Sequence, residues 1–220
     1  MDSYDLYLRR LAASSRCAIL AVDYRLAPEY AYPAAHDDGY DSLCWLKENA
    51  KSLNLDEEKI ILAGDSAGGH IAANIMTRLA EEKPNAFPSA LILLYPVLDI
   101  TLSYPSINMP KEKCLVTKED LSWYYQQYFS SGLDPKDPLI SPIFATNLHV
   151  FPPTLVILAE FDTLRDEGAA FVENLKRSGV KVKGNIFSEM IHGFIMFEEF
   201  AKAKEALNMI SSFIHTSVLD

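Results

Sequence analysis

The 220-residue chain has only three cysteines, and they are far apart: Cys17, Cys44 and Cys114. An odd, dispersed set gives neither a disulfide framework nor the paired spacing of a zinc site. Cys17 and Cys44 fall within apolar patterns and read as core filler, which fits a reducing, cytoplasmic setting. Positive charge is also scarce. Twenty Lys and Arg face thirty Asp and Glu, for a net charge of -10. With no basic patch to neutralise phosphates, nucleic acid is excluded as a partner. No apolar run approaches the ~18 residues that would span a membrane, and the opening MDSYDLYLRR is too polar for a signal peptide. There is no repeat, low-complexity tract or linker.

What the sequence does have is short apolar runs alternating with helical patterns. Strands are expected at 17–24 (CAILAVDY), 59–65 (KIILAGD), 89–96 (SALILLYP), 153–160 (PTLVILAE) and 180–187 (VKVKGNIF). The first four are continuous apolar runs, as in strands covered on both faces. The fifth alternates and reads as an edge strand, one that a second copy of the chain could pair with to form a homodimer. Helices are expected at 3–14, 33–50, 67–82, 118–131, 166–178 (ended by Gly179) and 197–214. Pro33 suits a first helical turn. Alternation of this kind predicts an α/β domain with a mostly parallel sheet of about five strands. Residues 1–220 read as one domain, with a lid-type insertion at about 97–140.

Residues 61–72, ILAGDSAGGHIA, place a polar serine where a buried strand gives way to a helix. Gly64-Asp65-Ser66-Ala67-Gly68 fits G-x-S-x-G in the strand–turn–helix context that this motif needs. So sharp a turn requires small neighbours, here assigned to Gly64 and Gly68. It lifts Ser66 Oγ above the sheet and aims the Ala67 N–H, at a helix N-terminus, at the same space. An oxyanion would be stabilised there. Without partners, the motif is no more than a capped Gly-rich turn.

A serine nucleophile needs a base, and the base needs an orienting carboxylate. Of five histidines, His192 follows the fifth strand and precedes Gly193, where a loop returns to the sheet edge. His215 reads as a surface residue of the last helix, and His149 lies at the wrong end of the fourth strand. His70 reads as local packing or capping, and His36 as a solvated or core helix residue. The acid should follow the fourth strand. LVILAEFDTLRDEG offers Glu160, Asp162, Asp166 and Glu167. Asp162 is best placed, just past the apolar run. Asp166 and Glu167 suit the first turn of the next helix, Glu160 is a structural candidate, and Asp99 after the third strand is the outside choice.

GDSAGG, DYRLAPE (23–29), EFDTLRDEG (160–168) and HGF (192–194) together resemble the hormone-sensitive-lipase and arylacetamide-deacetylase group of α/β-hydrolases, over nearly the whole chain. The resemblance implies an α/β-hydrolase fold and Ser66, Asp162 and His192 as nucleophile, acid and base. It implies a metal-free, cofactor-free carboxylesterase that cleaves small or aromatic esters through an acyl-enzyme. Arg25 and Glu29 would be structural. Thr163 stands where the family often has Pro, and Glu189 where it often has Gly. The family's HGGG loop, source of most oxyanion donors, lies upstream of the segment that aligns with DSYDLYLRRLA, as do its first three strands. One of those strands sits between the counterparts of 17–24 and 59–65. The chain therefore reads as N-terminally truncated, with Met1 an internal methionine or a mispredicted start. Either 17–24 pairs directly with 59–65 or the sheet has a gap whose unpaired backbone groups cost about 1–3 kcal/mol each if buried. Losing oxyanion donors costs roughly 10²–10³ in rate apiece, so the chain alone is expected to be a poor esterase. The competing readings are a non-catalytic ligand receptor, as in plant gibberellin receptors, which resemble this group but lack the histidine, and an inactive fragment.

Overall fold

The computed structural model describes residues 2–82, 87–129, 132–197 and 199–219. Four strands, β1 (Ile61–Asp65), β2 (Ala90–Leu94), β3 (Thr154–Phe161) and β4 (Val182–Ile191), form one all-parallel sheet in the order β1-β2-β3-β4. The helices are α1 (Asp2–Ser15), α2 (Ala34–Asn49), α3 (Ala67–Glu82), α4 (Lys118–Tyr128), α5 (Arg165–Arg177) and α6 (Ala201–Ile214). This is an α/β architecture, a parallel sheet flanked by helices.

Alternation along the two central strands builds the layers. Leu91 and Leu93 of β2 and Val156 and Leu158 of β3 face one core, with Leu43 of α2, Ile71, Ile75, Met76 and Leu79 of α3, and Phe171 and Leu175 of α5. Ala90, Ile92, Leu94, Leu155, Ile157 and Ala159 face the other, with Tyr7 and Leu11 of α1 and Ala203, Ala206, Ile210 and Ile214 of α6. The element ends follow local chemistry. Thr117 and Asp120 form a reciprocal capping box at the start of α4. Gly179, at φ +80°, closes α5. Pro33 sits one residue ahead of α2 rather than in its first turn. Positions 130–131, expected at the end of the fourth helix, lie outside the described residues.

The expected strand at 17–24 is not one. The segment runs without a ladder, and its apolar Ile19 and Leu20 are 37% and 49% exposed. Strand character requires a hydrogen-bonded neighbour, and β1 pairs only with β2. Residues 17–24 do not pair with β1, and among the described residues the sheet has four strands rather than five. Residues 18–20 and Ala63 are exposed. The free edges are β1 and, as its alternating pattern predicted, β4, where Ile186 is 49% exposed.

Candidate active site

Ser66 occupies the single residue between β1 and α3, with φ at +50°. That left-handed strain is held by three backbone bonds. Ser66 N–H donates to Leu94 O (2.9 Å), and Ser66 O accepts from His70 N (3.1 Å) and Val97 N (3.3 Å). The glycines divide the work differently from the sequence expectation. A Cβ on Gly64 would lie 2.1 Å from Gly68 O and 2.7 Å from Gly69 N, and one on Gly69 would lie 2.8 Å from Pro96 Cβ. A Cβ on Gly68 would meet only Asp65 Oδ1, at 3.9 Å. The close approach therefore needs Gly64 and Gly69. Gly68 supplies backbone for Gly64 to pack on, and its own Cβ position is open.

β3, β4 and β1 end at the same edge of the sheet and bring three of the expected residues together. His192 Nδ1–H donates to Asp162 Oδ2 at 2.8 Å, which leaves Nε2 to accept from Ser66 Oγ–H at 2.8 Å. Asp162 Oδ1 accepts from Leu164 N (3.0 Å). Asp162 and His192 are buried and Ser66 is half-buried. The Tyr95 ring lies 4.8 Å from the imidazole. Ala67, exposed, is the first residue of α3, where backbone N–H groups have no intrahelical acceptor.

The other acid candidates are committed elsewhere. Glu160 accepts from Glu189 N (2.7 Å), and Asp166 accepts from Ser106 N and Arg165. Asp99 accepts from Thr101 and Ser103. Glu167 is fully buried and accepts from Leu98 N and Asp99 N. Burial nevertheless pushes its carboxyl well above the usual range. Glu189 takes φ +60°, the conformation a glycine would adopt freely, and Lys202 pairs with its carboxylate at 3.2 Å. The histidine loop is formed in spite of that strain.

His36 and His70 are core residues. Their rings lie 4.9 Å apart, with His36 Nδ1 2.7 Å from Tyr128 Oη and His70 Nδ1–H donating to Val97 O. Burial depresses both, His70 to about 4 and His36 to about 2. His149 is exposed and His215 half-buried. Arg25 grips Asp38 through its backbone N–H, Nε and Nη2, whereas Glu29 is exposed. All three cysteines are free. Among the described residues, no cluster of three or more His, Cys, Asp or Glu could hold a metal ion, and no helix is long and apolar enough to cross a membrane.

The sequence reading missed the residues around Ser66, Asp162 and His192. Tyr4 Oη–H donates to Asp65 Oδ2 (3.0 Å), joining α1 to the turn that carries Ser66. Burial raises the Asp65 carboxyl, and Tyr4 works in the opposite direction. Tyr95 and Ser106 were also unmarked, because contacts across the fold leave no local spacing signal.

Comparison with known proteins agrees with this fold. A profile of the alpha/beta hydrolase fold matches residues 1–196. The chain is 34% identical over 211 residues to an ethyl acetate hydrolase of Pseudomonas putida, covering 96% of this chain and 66% of that protein. It is 32% identical to gibberellin receptor GID1A of Arabidopsis thaliana, covering 96% and 63%. It thus spans about two thirds of these relatives' own length. The solved hyperthermophilic esterase of the archaeon Pyrobaculum calidifontis superposes with a TM-score of 0.91 at 39% identity, covering 97% of this chain and 70% of that one. The chain belongs to the α/β-hydrolase fold family.

Proposed function

We propose that the chain carries the nucleophile, base and acid of a carboxylic ester hydrolase. The observation that carries this reading is the continuous chain of hydrogen bonds, Ser66 Oγ to His192 Nε2 and His192 Nδ1 to Asp162 Oδ2, both 2.8 Å. Ser66 Oγ attacks the acyl carbon as its proton passes to His192 Nε2, and the Ala67 N–H donates to the developing oxyanion. Collapse expels the alcohol, which takes the proton from His192, and leaves an acyl-enzyme on Ser66. Water then attacks with His192 as base, and the acid and the free serine are released. Asp162 holds the Nδ1–H tautomer and stabilises the imidazolium throughout. Residues around 97–140 are read as a lid-type insertion within a single domain. The substrates are small or aromatic esters, and no cofactor enters the chemistry.

The Ala67 N–H is the oxyanion donor beside Ser66, and a single donor of this kind is worth roughly 10²–10³ in rate. The test is hydrolysis of p-nitrophenyl acetate by the purified chain beside Ser66→Ala and Asp162→Asn. The reading expects turnover that Ser66→Ala abolishes and that Asp162→Asn lowers by about 10⁴-fold through the wrong tautomer. The similarity to a gibberellin receptor raises a second reading, ligand binding without chemistry. A histidine engaged with Ser66 argues against it, and equal background rates in all three proteins would favour it.

A further inference from the structure

The loop that carries Asp162 is held from outside by the segment that precedes α4. Ser106, 5% exposed, makes three hydrogen bonds to this loop. Its N–H donates to Asp166 Oδ2 (2.9 Å), its Oγ–H donates to Thr163 O (2.8 Å), and its Oγ accepts from Asp166 N (3.1 Å). Thr163, 1% exposed, returns the tie by donating Oγ1–H to Val116 O (2.9 Å). An apolar plug lies alongside, with Leu164 buried against Val97, Ile107 and Leu121 of α4. Leu164 is also the residue whose N–H bonds Asp162 Oδ1.

The residues directly after Asp162 are thus fixed by partners from 106 to 121, while Asp162 Oδ2 is aimed at His192. We propose that the segment 105–116 is a strap that positions the acid arm of the triad, with Ser106 and Thr163 as its positioning residues. This builds on the reading of Asp162 and His192 as acid and base. The physical argument is one of freedom. Asp162 sits in a loop beyond β3, where the ladder no longer fixes the chain. Its carboxylate has one backbone donor, Leu164 N, and one imidazole donor. If Thr163 and Leu164 shift, the carboxylate turns with them, and the His192 ring loses the group that selects its tautomer.

The test compares wild type with Ser106→Ala, Thr163→Val and Thr163→Ser on two readouts. One is the rate of fluorophosphonate labelling at Ser66. The other is the far-downfield proton resonance of a carboxylate-bound His192 Nδ1–H. A displacement approaching 1 Å costs on the order of 10²-fold, so a partial shift predicts labelling slowed about tenfold in Ser106→Ala and Thr163→Val. Their downfield resonance should broaden or vanish while melting behaviour stays cooperative. Thr163→Ser keeps the hydroxyl and should keep both signals. Folded Ser106→Ala and Thr163→Val proteins with wild-type labelling and a sharp resonance would overturn the proposal. If Ser106→Ala does not fold, the near-isosteric Thr163→Val against Thr163→Ser decides. If wild type itself does not label, the nucleophile reading fails, and the resonance still reports whether the strap holds the Asp162–His192 pair.

Discussion

Replacing single glycines at the nucleophile turn separates two neighbours that look alike in the motif. In Gly64→Ala the new Cβ would lie 2.1 Å from Gly68 O, 2.3 Å from Gly68 C and 2.7 Å from Gly69 N. All three are backbone atoms, so no rotamer change relieves the clash. Ordinary contact is about 3.5 Å, which requires the strand end and the first turn of α3 to separate by about 1 Å. Overpacking that side chains absorb costs about 1–3 kcal/mol, and a backbone clash belongs at or above the upper end. Opening the turn also lengthens the 2.8 Å bond from Ser66 to His192, at a cost on the order of 10² in rate. In Gly68→Ala the new Cβ meets only Asp65 Oδ1 at 3.9 Å, within α3. Exchanging a helical Gly for Ala gains roughly 0.5–1 kcal/mol, or about 1–4 °C in Tm for a chain this size. Circular-dichroism melts and fluorophosphonate labelling read both effects. Gly64→Ala should melt lower and label about a hundredfold more slowly, and Gly68→Ala should melt higher and label normally. A Gly64→Ala protein that melts and labels like wild type would refute the account of the turn, and so would a Gly68→Ala protein as damaged as Gly64→Ala should be.

Three further outcomes follow from the geometry. His36 and His70 are held neutral by burial, so the unfolded chain, whose histidines titrate near 6.5, binds more protons than the fold below that pH. Stability should fall as pH drops through about 6.5 toward the folded values of about 4 and about 2, by about 2–3 kcal/mol per histidine at pH 4.5. Urea unfolding at pH 7 and 4.5 should show that difference shrinking in His36→Phe with His70→Asn, and an unchanged difference would contradict it. Glu189→Gly removes a side chain from φ +60°, a strain of about 1–2 kcal/mol, and gives up an exposed ion pair to Lys202 that is worth little. A net gain of about 1 kcal/mol in unfolding free energy is expected, and a loss would mean that the Lys202 contact matters more than the backbone. Tyr4→Phe deletes the bond to Asp65 Oδ2 and should cost about 1–3 kcal/mol, read by the same denaturation. An unchanged midpoint would show that α1 is held without that bond.

Much of this molecule can be read in the chain because burial on both faces writes continuous apolar runs. The runs around β2 and β3 are such cases; β1 carries a similar run but is an edge strand, half-buried or exposed along its length, and β4 declares itself as an edge by alternating. Ser66 and Asp162 are legible because each lies one or two residues past an apolar run, where a parallel sheet gathers its loops, and His192 because it follows the alternating fifth strand just ahead of Gly193. Residues 17–24 carry the same signal as those strands and form none, because an apolar run records a preference for burial but not whether a partner lies alongside. Gly68 and Gly69 are adjacent and chemically identical. Only the placement of Pro96 decides which of them must lack a Cβ. The ties from Ser106 to residues 163–166 bridge about sixty positions, a separation at which no local pattern exists to be read.

The most direct measurement is intact-mass spectrometry of the purified 220-residue chain after fluorophosphonate treatment, with Ser66→Ala alongside. The account predicts a single covalent adduct on wild type and none on the variant, which places an activated nucleophile at Ser66. Folded wild-type protein that stays unmodified, or an adduct that persists in Ser66→Ala, would contradict it.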